Sequence, residues 1–381
     1  MRMIYWRPST IPRVALLVIA FLAIAALSSV ELIKVHKKKP HYSEKFRASL
    51  AMKRGMEVIK NYRVNHVGPI DAEFDPARSG MIGLPQSPIT SKPGQLRAKQ
   101  HTVNPNWGAV MVDLYKEARL KAGDTVAMGF SGSFPALNLA ALVAAEVLKL
   151  KVIPITSVAS STWGANDPKF TWLDMERILW EEGIITHKSV AASFGGLEDS
   201  ELGKSKKKRE VLRTVIERNG LYPLEFETGK EQVDERMAIY WKAAGESRIA
   251  VYVNVGGSTV SVGTKEVKKL FNPGLNKKPP QGVLDVDSVM TRFAVEGLPV
   301  IHMVNIQKLL QKYGLPENPV VIPSVGEGNM YTKIEYNVYL VVINLIVMLL
   351  VLLAFLKLDI GYRIFGSSRV SQPPKHPEPM I

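Results

Sequence analysis

Ser131 lies in Gly129-Phe130-Ser131-Gly132-Ser133, with small residues two places before and two places after it. A serine nucleophile on a strand-to-helix elbow needs such neighbours, because the turn is too sharp for larger side chains. The last position here is Ser133, where the elbow pattern has glycine. A nucleophile also needs a base and a group that orients the base. His302, in the run Leu298-Pro299-Val300-Ile301-His302, is the candidate base, with Asp174 or Asp167 as the orienting carboxylate. The same loop supports a second chemistry. Ser131, Gly132 and Ser133 at a helix N-terminus would offer backbone N–H groups and hydroxyls to a phosphate or carboxylate. A capped structural turn is the third reading, and spacing alone leaves all three open.

Two further loops share this character. Ser157 to Asp167 contains Ser160, Ser161, Thr162, Gly164 and Asn166, and Asn254-Val255-Gly256-Gly257-Ser258-Thr259 is rich in glycine and hydroxyls. Both follow strand-like runs, so they are expected beside the first loop, where they would form a polar cleft. The alternative for the glycine pair is a plain turn between strands. Asp71, Glu73 and Asp75 alternate closely enough for a cation site, yet Pro76 and Ala77 break the calcium-loop pattern, and a solvated acidic loop is expected. The seven histidines lack zinc-helix spacing and the chain has no cysteine. Thiol chemistry and cysteine-held metal are therefore excluded, and neither a metal nor a cofactor is expected.

The formal net charge of +14 favours polyanions. Lys204, Lys206, Lys207, Lys208 and Arg209 form the main basic run, with Lys277-Lys278 a smaller one. A solvated helix face is the plain explanation, and a track that guides a carboxylate polymer is the sharper one. No interleaving of basic and aromatic residues points to nucleic acid.

The elements that would position these residues alternate strand and helix. Thr125 to Phe130 reads as a buried strand, Pro135 to Leu150 as a helix and Lys151 to Thr156 as a second strand. That βαβ unit implies a parallel sheet, with ligands expected at the carboxyl ends of its strands. Further strands are expected at Ser189–Ser193, Ile249–Val255 and Pro299–Val304. Helices are expected at Trp172–Glu182, Lys206–Asn219, Val233–Ala244, Val286–Val295 and Ile306–Tyr313. The expected fold class is α/β, with a mostly parallel, Rossmann-like sheet and flanking helices. Apolar runs from Val14 to Val30, where nothing is charged, and from Val338 to Leu356, where Asn344 is the one strongly polar residue, add one expected transmembrane helix near each terminus, at 14–33 and 335–357. A cleaved signal peptide is the alternative for the first run. The resulting division is a cytoplasmic tail at 1–13, a span at 14–33, a helical stalk at 34–65 and a soluble α/β domain at 66–334. A second span at 335–357 and a basic Pro-rich cytoplasmic tail at 358–381 complete it. Basic residues flanking the spans balance on the two sides. The second span taken alone places its tail in the cytoplasm, so the expected location is the cell membrane with the domain outside.

Four strings resemble those of the poly-γ-glutamate system proteins. They are Gly129-Phe130-Ser131-Gly132-Ser133-Phe134-Pro135-Ala136-Leu137-Asn138, Ser160-Ser161-Thr162-Trp163-Gly164-Ala165-Asn166, Phe170-Thr171-Trp172-Leu173-Asp174-Met175-Glu176 and Val253-Asn254-Val255-Gly256-Gly257. The similarity runs from about Asp71 to Gly328, and Asp75-Pro76-Ala77-Arg78-Ser79-Gly80 departs from the family's more polar sequence there. The resemblance implies an accessory protein of poly-γ-glutamate, a capsule-type polymer, acting in its synthesis or export beside the membrane subunits of the synthase. It supplies no catalytic residues. The residues expected to line the ligand cleft are Ser131, Gly132, Ser133, Asn138, Ser160, Ser161, Asn166, Asn254, Gly256 and Gly257. Two alternatives stand beside polymer binding. One is a serine amidohydrolase or transpeptidase acting on γ-glutamyl amides through Ser131, His302 and Asp174. The other is a structural subunit of a membrane complex.

Overall fold

The computed structural model describes residues 13–196, 205–226, 228–283, 286–317 and 320–357. In chain order, α1 (Arg13–Leu32) and β1 (Lys34–Lys38) lead to α2 (Tyr42–Tyr62), α3 (Leu96–Gln100) and α4 (Trp107–Glu117). The central βαβ unit is β2 (Thr125–Ser131), α5 (Pro135–Leu148) and β3 (Lys151–Ser157). The small pair β4 (Asn166–Asp167) and β5 (Phe170–Thr171) precedes α6 (Trp172–Glu181), β6 (Ala191–Ser193), α7 (Lys206–Arg218), β7 (Pro223–Leu224) and α8 (Gly229–Ala244). Then follow β8 (Ile249–Val255), α9 (Thr259–Val262), α10 (Lys265–Leu270), β9 (Gly274–Asn276) and α11 (Val289–Val295). The chain closes with β10 (Val300–Met303), α12 (Ile306–Tyr313), β11 (Thr332–Tyr336) and α13 (Val338–Lys357).

Two compact units result, one from the terminal segments and one spanning Lys38–Tyr331. The larger is built on a seven-stranded sheet in the order β7-β6-β3-β2-β8-β10-β9. All of its pairings are parallel except that of β9 with β10. Every residue of β2 is buried, as a central parallel strand covered on both faces requires. One apolar layer comes from α2, α4, α5 and α12, and the opposite layer from α8 and α11. β2 starts near the middle, with β3 on one side and β8 on the other. Chain direction across the sheet therefore reverses between β2 and β8, and a crevice opens at their carboxyl ends.

The segment expected to be a stalk is α2. Its Ala48, Met52, Met56 and Ile59 recur at helical spacing, and all lie at 0–1% exposure against α4 and α5. Amphipathic spacing says that one face is covered, but not by what.

The terminal unit holds the two-stranded sheet β1-β11 and the helices α1 and α13. The Asn344 amide donates to Ala26 O at 3.2 Å and to Ser29 Oγ at 2.8 Å, so a polar side chain within the apolar run of α13 joins it to α1. Leu17, Phe21, Leu345 and Leu350 remain exposed along the two helices. Among the described residues no helix is long and apolar enough to cross a membrane. This corrects the expected spans at 14–33 and 335–357, and with them the two-span cell-membrane location and the outward placement of the α/β domain. A helix needs roughly 20 apolar residues to cross a bilayer's hydrocarbon core, and no described helix combines that length with that apolarity.

Candidate functional site

The β2–α5 turn is built around Ser131. Gly132 N donates to Ser157 O at 3.1 Å and Gly132 O accepts from Ala165 N at 2.7 Å, which fastens the turn to the loop after β3. Ser161 N donates to Ser133 Oγ at 3.1 Å, a second fastening between the two loops. Gly256 closes the third side. Its φ of 73° is left-handed, and a Cβ there would sit 2.3 Å from Ser131 Oγ, so only glycine fits. The parallel sheet thus gathers Ser131, Gly132, Ser133, Ser160, Ser161, Asn254, Gly256 and Gly257 at its carboxyl edge.

Two cavities open there, of about 540 Å³ and about 450 Å³, and both are lined by Lys92, Ser133, Gly257 and Lys268. The larger also touches Arg97, Lys99, Ser161, His302 and Glu317. Lys92 and Lys99 come from the segment before α4 and Lys268 from α10. Among the described residues no carboxylate forms an ion pair with any of the three. Lys99 is 3% exposed. Its ammonium donates to Ser133 O and, at 2.9 Å, to Ser161 Oγ, while the Phe134 ring centroid lies 3.7 Å from Nζ. Burial, reinforced by Lys92 and Lys268, pushes its pKa down to about 7. Burial and Lys92 lower Lys268 as well. Beneath the floor, Arg236 of α8 reaches Ser157 Oγ at 3.1 Å and Ser193 Oγ at 2.5 Å.

The candidate triad does not assemble. His302 belongs to β10, and β8 lies between β10 and β2. Two strand spacings, about 9–10 Å, therefore separate it from Ser131 in the sheet. Ser131 Oγ donates instead to Val255 O at 3.4 Å and accepts from Ser133 N at 3.3 Å. Asp174 closes the capping box of α6 with Thr171 and pairs with Arg218 at 2.5 Å, so its carboxylate is used by the helix start. Asp167 accepts from Lys169 N at 2.9 Å in a local turn.

His302 has a different capacity. The Asn254 amide donates to Gly256 O at 2.6 Å, which fixes its orientation, and its Nδ2 faces His302 Nδ1 at 3.3 Å. Nδ1 is then the acceptor and the proton sits on Nε2, a buried nitrogen with no partner among the described residues. Burial, with a contribution from Lys268, lowers the imidazole to about 3, so it stays neutral and serves as a hydrogen-bond donor rather than a base.

Other expected ligand residues hold the frame. Asn138 Nδ2 donates to Ser131 O at 2.9 Å and braces α5 against β2. Asn166 Oδ1 accepts from Leu84 N at 2.7 Å, and its Nδ2 donates to Leu84 O at 2.8 Å and to Thr90 Oγ1 at 2.9 Å. Ser160 Oγ donates to Ser161 O at 2.9 Å. In the acidic loop, Asp71 and Glu73 are exposed, whereas Asp75 is buried and accepts from Ser79 N, Ser79 Oγ and Gly80 N. No group of side chains suited to a metal occurs among the described residues.

The basic run is elsewhere. Lys206, Lys207, Lys208 and Arg209 are exposed on the first turn of α7, Lys204 lies outside the described residues, and Lys277 and Lys278 are exposed after β9. Sequence reasoning missed Lys92, Lys99 and Lys268, which sit singly in unlike segments. Pro93-Gly94 beside Lys92 was the one available signal of a loop, and nothing local marks Lys99 as buried. Comparison of the chain with protein-family models, with curated proteins and with solved structures finds no match.

Proposed function

We propose that the α/β unit binds the carboxylates of poly-γ-glutamate, or of its glutamyl precursors, in the strand-end cleft, as an accessory protein of that polymer's synthesis or export. The observation that carries this reading is the trio Lys92, Lys99 and Lys268 lining the larger cavity, with Lys92 and Lys268 lining the smaller one too. Burial lowers the proton affinity of Lys99 and Lys268, and neighbouring charge adds to it: Lys92 acts on Lys268, and Lys92 and Lys268 both act on Lys99. Lys99 is buried, Lys268 half-buried and Lys92 exposed; holding like charges this close raises the free energy of the empty protein, and an anion seated among them relieves it. Glu317 is the one carboxylate among the described lining residues, so the cleft favours negative ligands. A γ-linked glutamyl chain carries one carboxylate per residue, and several lysines engage it at once without new folding. The neutral Nε2–H of His302 supplies a directional donor beside those charges. The four strings resembling poly-γ-glutamate system proteins support the choice of polymer.

Calorimetric titration of the full chain with γ-glutamyl oligomers tests this reading. Affinity is expected to fall as salt rises, and by about tenfold in Lys268→Gln, the scale of one lost charge-assisted contact. Binding that is absent, or indifferent to both salt and Lys268→Gln, overturns it.

A further inference from the structure

We propose that Ser161 and Lys99 are a serine–lysine acylation pair, able to open an amide bond whose acyl part is held in the strand-end cleft. Both side chains line the larger cavity, both are buried, and Nζ lies 2.9 Å from Oγ. The loop fastening through Ser161 N and Ser133 Oγ holds the serine, and Nζ's second bond, to Ser133 O, holds the lysine.

Hydrogen accounting makes the neutral amine the acting form. An ammonium has three donors and no acceptor, so while it donates to Ser161 Oγ it cannot take the hydroxyl proton. On losing its proton, the amine can keep one N–H on Ser133 O and one over the Phe134 face, which frees its lone pair to accept the Ser161 O–H across the same 2.9 Å contact. The groups that set this balance are Lys92 and Lys268, which act directly on Lys99, with Arg97, His101 and Glu317 around the same cavity. A pKa near 7 makes the neutral form abundant at neutral pH, the condition for a lysine base.

The step balances with water alone. Nζ takes the Ser161 proton as Oγ bonds to the acyl carbon, the carbon–nitrogen bond breaks, and Nζ returns the proton to the departing amine. Water then adds to the serine ester, releasing the carboxylic acid and restoring Ser161. His302 Nε2–H and Lys268, which line the same cavity, are the donors for charge developing on the carbonyl oxygen. The pair uses neither Ser131 nor Asp174. That a γ-glutamyl amide is the bond opened rests on the binding reading above, but acylation of Ser161 does not.

The full chain is incubated with p-nitrophenyl acetate and followed by intact-mass measurement and peptide mapping. One acetyl group is expected on Ser161, at a rate that climbs with pH through about 7 as Lys99 loses its proton. Ser161→Ala should abolish the adduct and Lys99→Met should slow it about a hundredfold, the usual worth of a positioned base. Acetyl on Ser131 or on Lys99, or wild-type labelling of Lys99→Met, overturns the pair. If Lys99→Met does not fold, the wild-type profile decides, and a rate flat from about pH 6 to 9 overturns it. No labelling with polymer binding intact removes the pair and leaves the binding reading. Labelling of Ser161 without polymer binding supports the pair and removes the polymer.

Discussion

Two loop systems meet above the carboxyl edge of the sheet, and they differ in how fully each satisfies itself. Around Asn166 and Asp75 the protein itself supplies the partners of the carboxamide and the carboxylate. Asn166 makes three bonds to the 84–90 segment, and Asp75 takes three from Ser79 and Gly80. Gly83 seals this knot, since a Cβ there would fall 1.8 Å from Gly164 O. Around Lys99 the pattern reverses. Lysines face one another, His302 Nε2 has no partner among the described residues, and about 540 Å³ stays open. Buried polar groups in native proteins are nearly always paired, so a saturated cluster is framework and an unsaturated one is a place for something else. Polar density in the sequence is the same in both, and saturation is what separates them.

The sharpest way to break this contrast is Asn166→Ala. It removes three bonds and leaves Leu84 N without its acceptor, while Leu84 O keeps Trp163 N and Thr90 Oγ1 keeps Ser87, and should cost on the order of 2 kcal/mol by denaturant unfolding. A loss below about 1 kcal/mol would show that the knot is dispensable.

Lys99→Met is the converse. It removes a buried charge that other lysines repel, so unfolding stability should hold or rise by about 1 kcal/mol while affinity for γ-glutamyl oligomers drops about tenfold or more. A large fall in stability would place Lys99 in the framework.

Titration sharpens the comparison further. The Lys99 pKa falls from 10.5 to about 7 on folding, so below about 7 the native state carries the full penalty of the buried charge. Between about 7 and 10.5 the unfolded chain binds more protons, and this group makes stability rise with pH. Glu176 is buried on α6 and accepts from Ser189 N and Ser189 Oγ at 3.0 Å each. Burial raises it from 4.5 to about 7, so its contribution is full below 4.5 and lost by about 7. Together the two groups place a stability minimum near neutrality. Glu176→Gln should remove the acidic arm of that curve and leave the alkaline arm, as read by unfolding midpoint against pH. Anion affinity, which needs Lys99 charged, should decline through the same alkaline window.

The smallest effect is expected from replacing Lys206, Lys207, Lys208 and Arg209 by glutamine. These side chains are exposed and outside the cleft lining, so affinity for a short oligomer should change less than about twofold. A long polymer should lose somewhat more, and only at low salt.

Much of the frame was legible. The buried run at β2, the Ala- and Leu-rich helix α5 and the strand β3 are local patterns, and hydrophobic period fixes element type. The helix Ile306–Tyr313 falls where its spacing places it. The antiparallel edge strand Gly274–Asn276 was not legible, because three residues carry no period. Of the site, the three strand-end loops were legible, since small and hydroxyl residues after strands announce themselves. The triad was not, because distance across a sheet depends on strand order, and the order β2-β8-β10 inserts a strand between Ser131 and His302.

The sequence by itself determined the α/β alternation, the βαβ unit and the convergence of serine and glycine loops at one sheet edge, because each follows from local period and turn chemistry. Only the tertiary structure decided that α2 is core rather than stalk, that Asn138 and Asn166 are braces, and that Lys92, Lys99 and Lys268 stand together. Burial and charge proximity are properties of which segments meet, and lysines far apart in the chain carry no local mark of the cavity they will share.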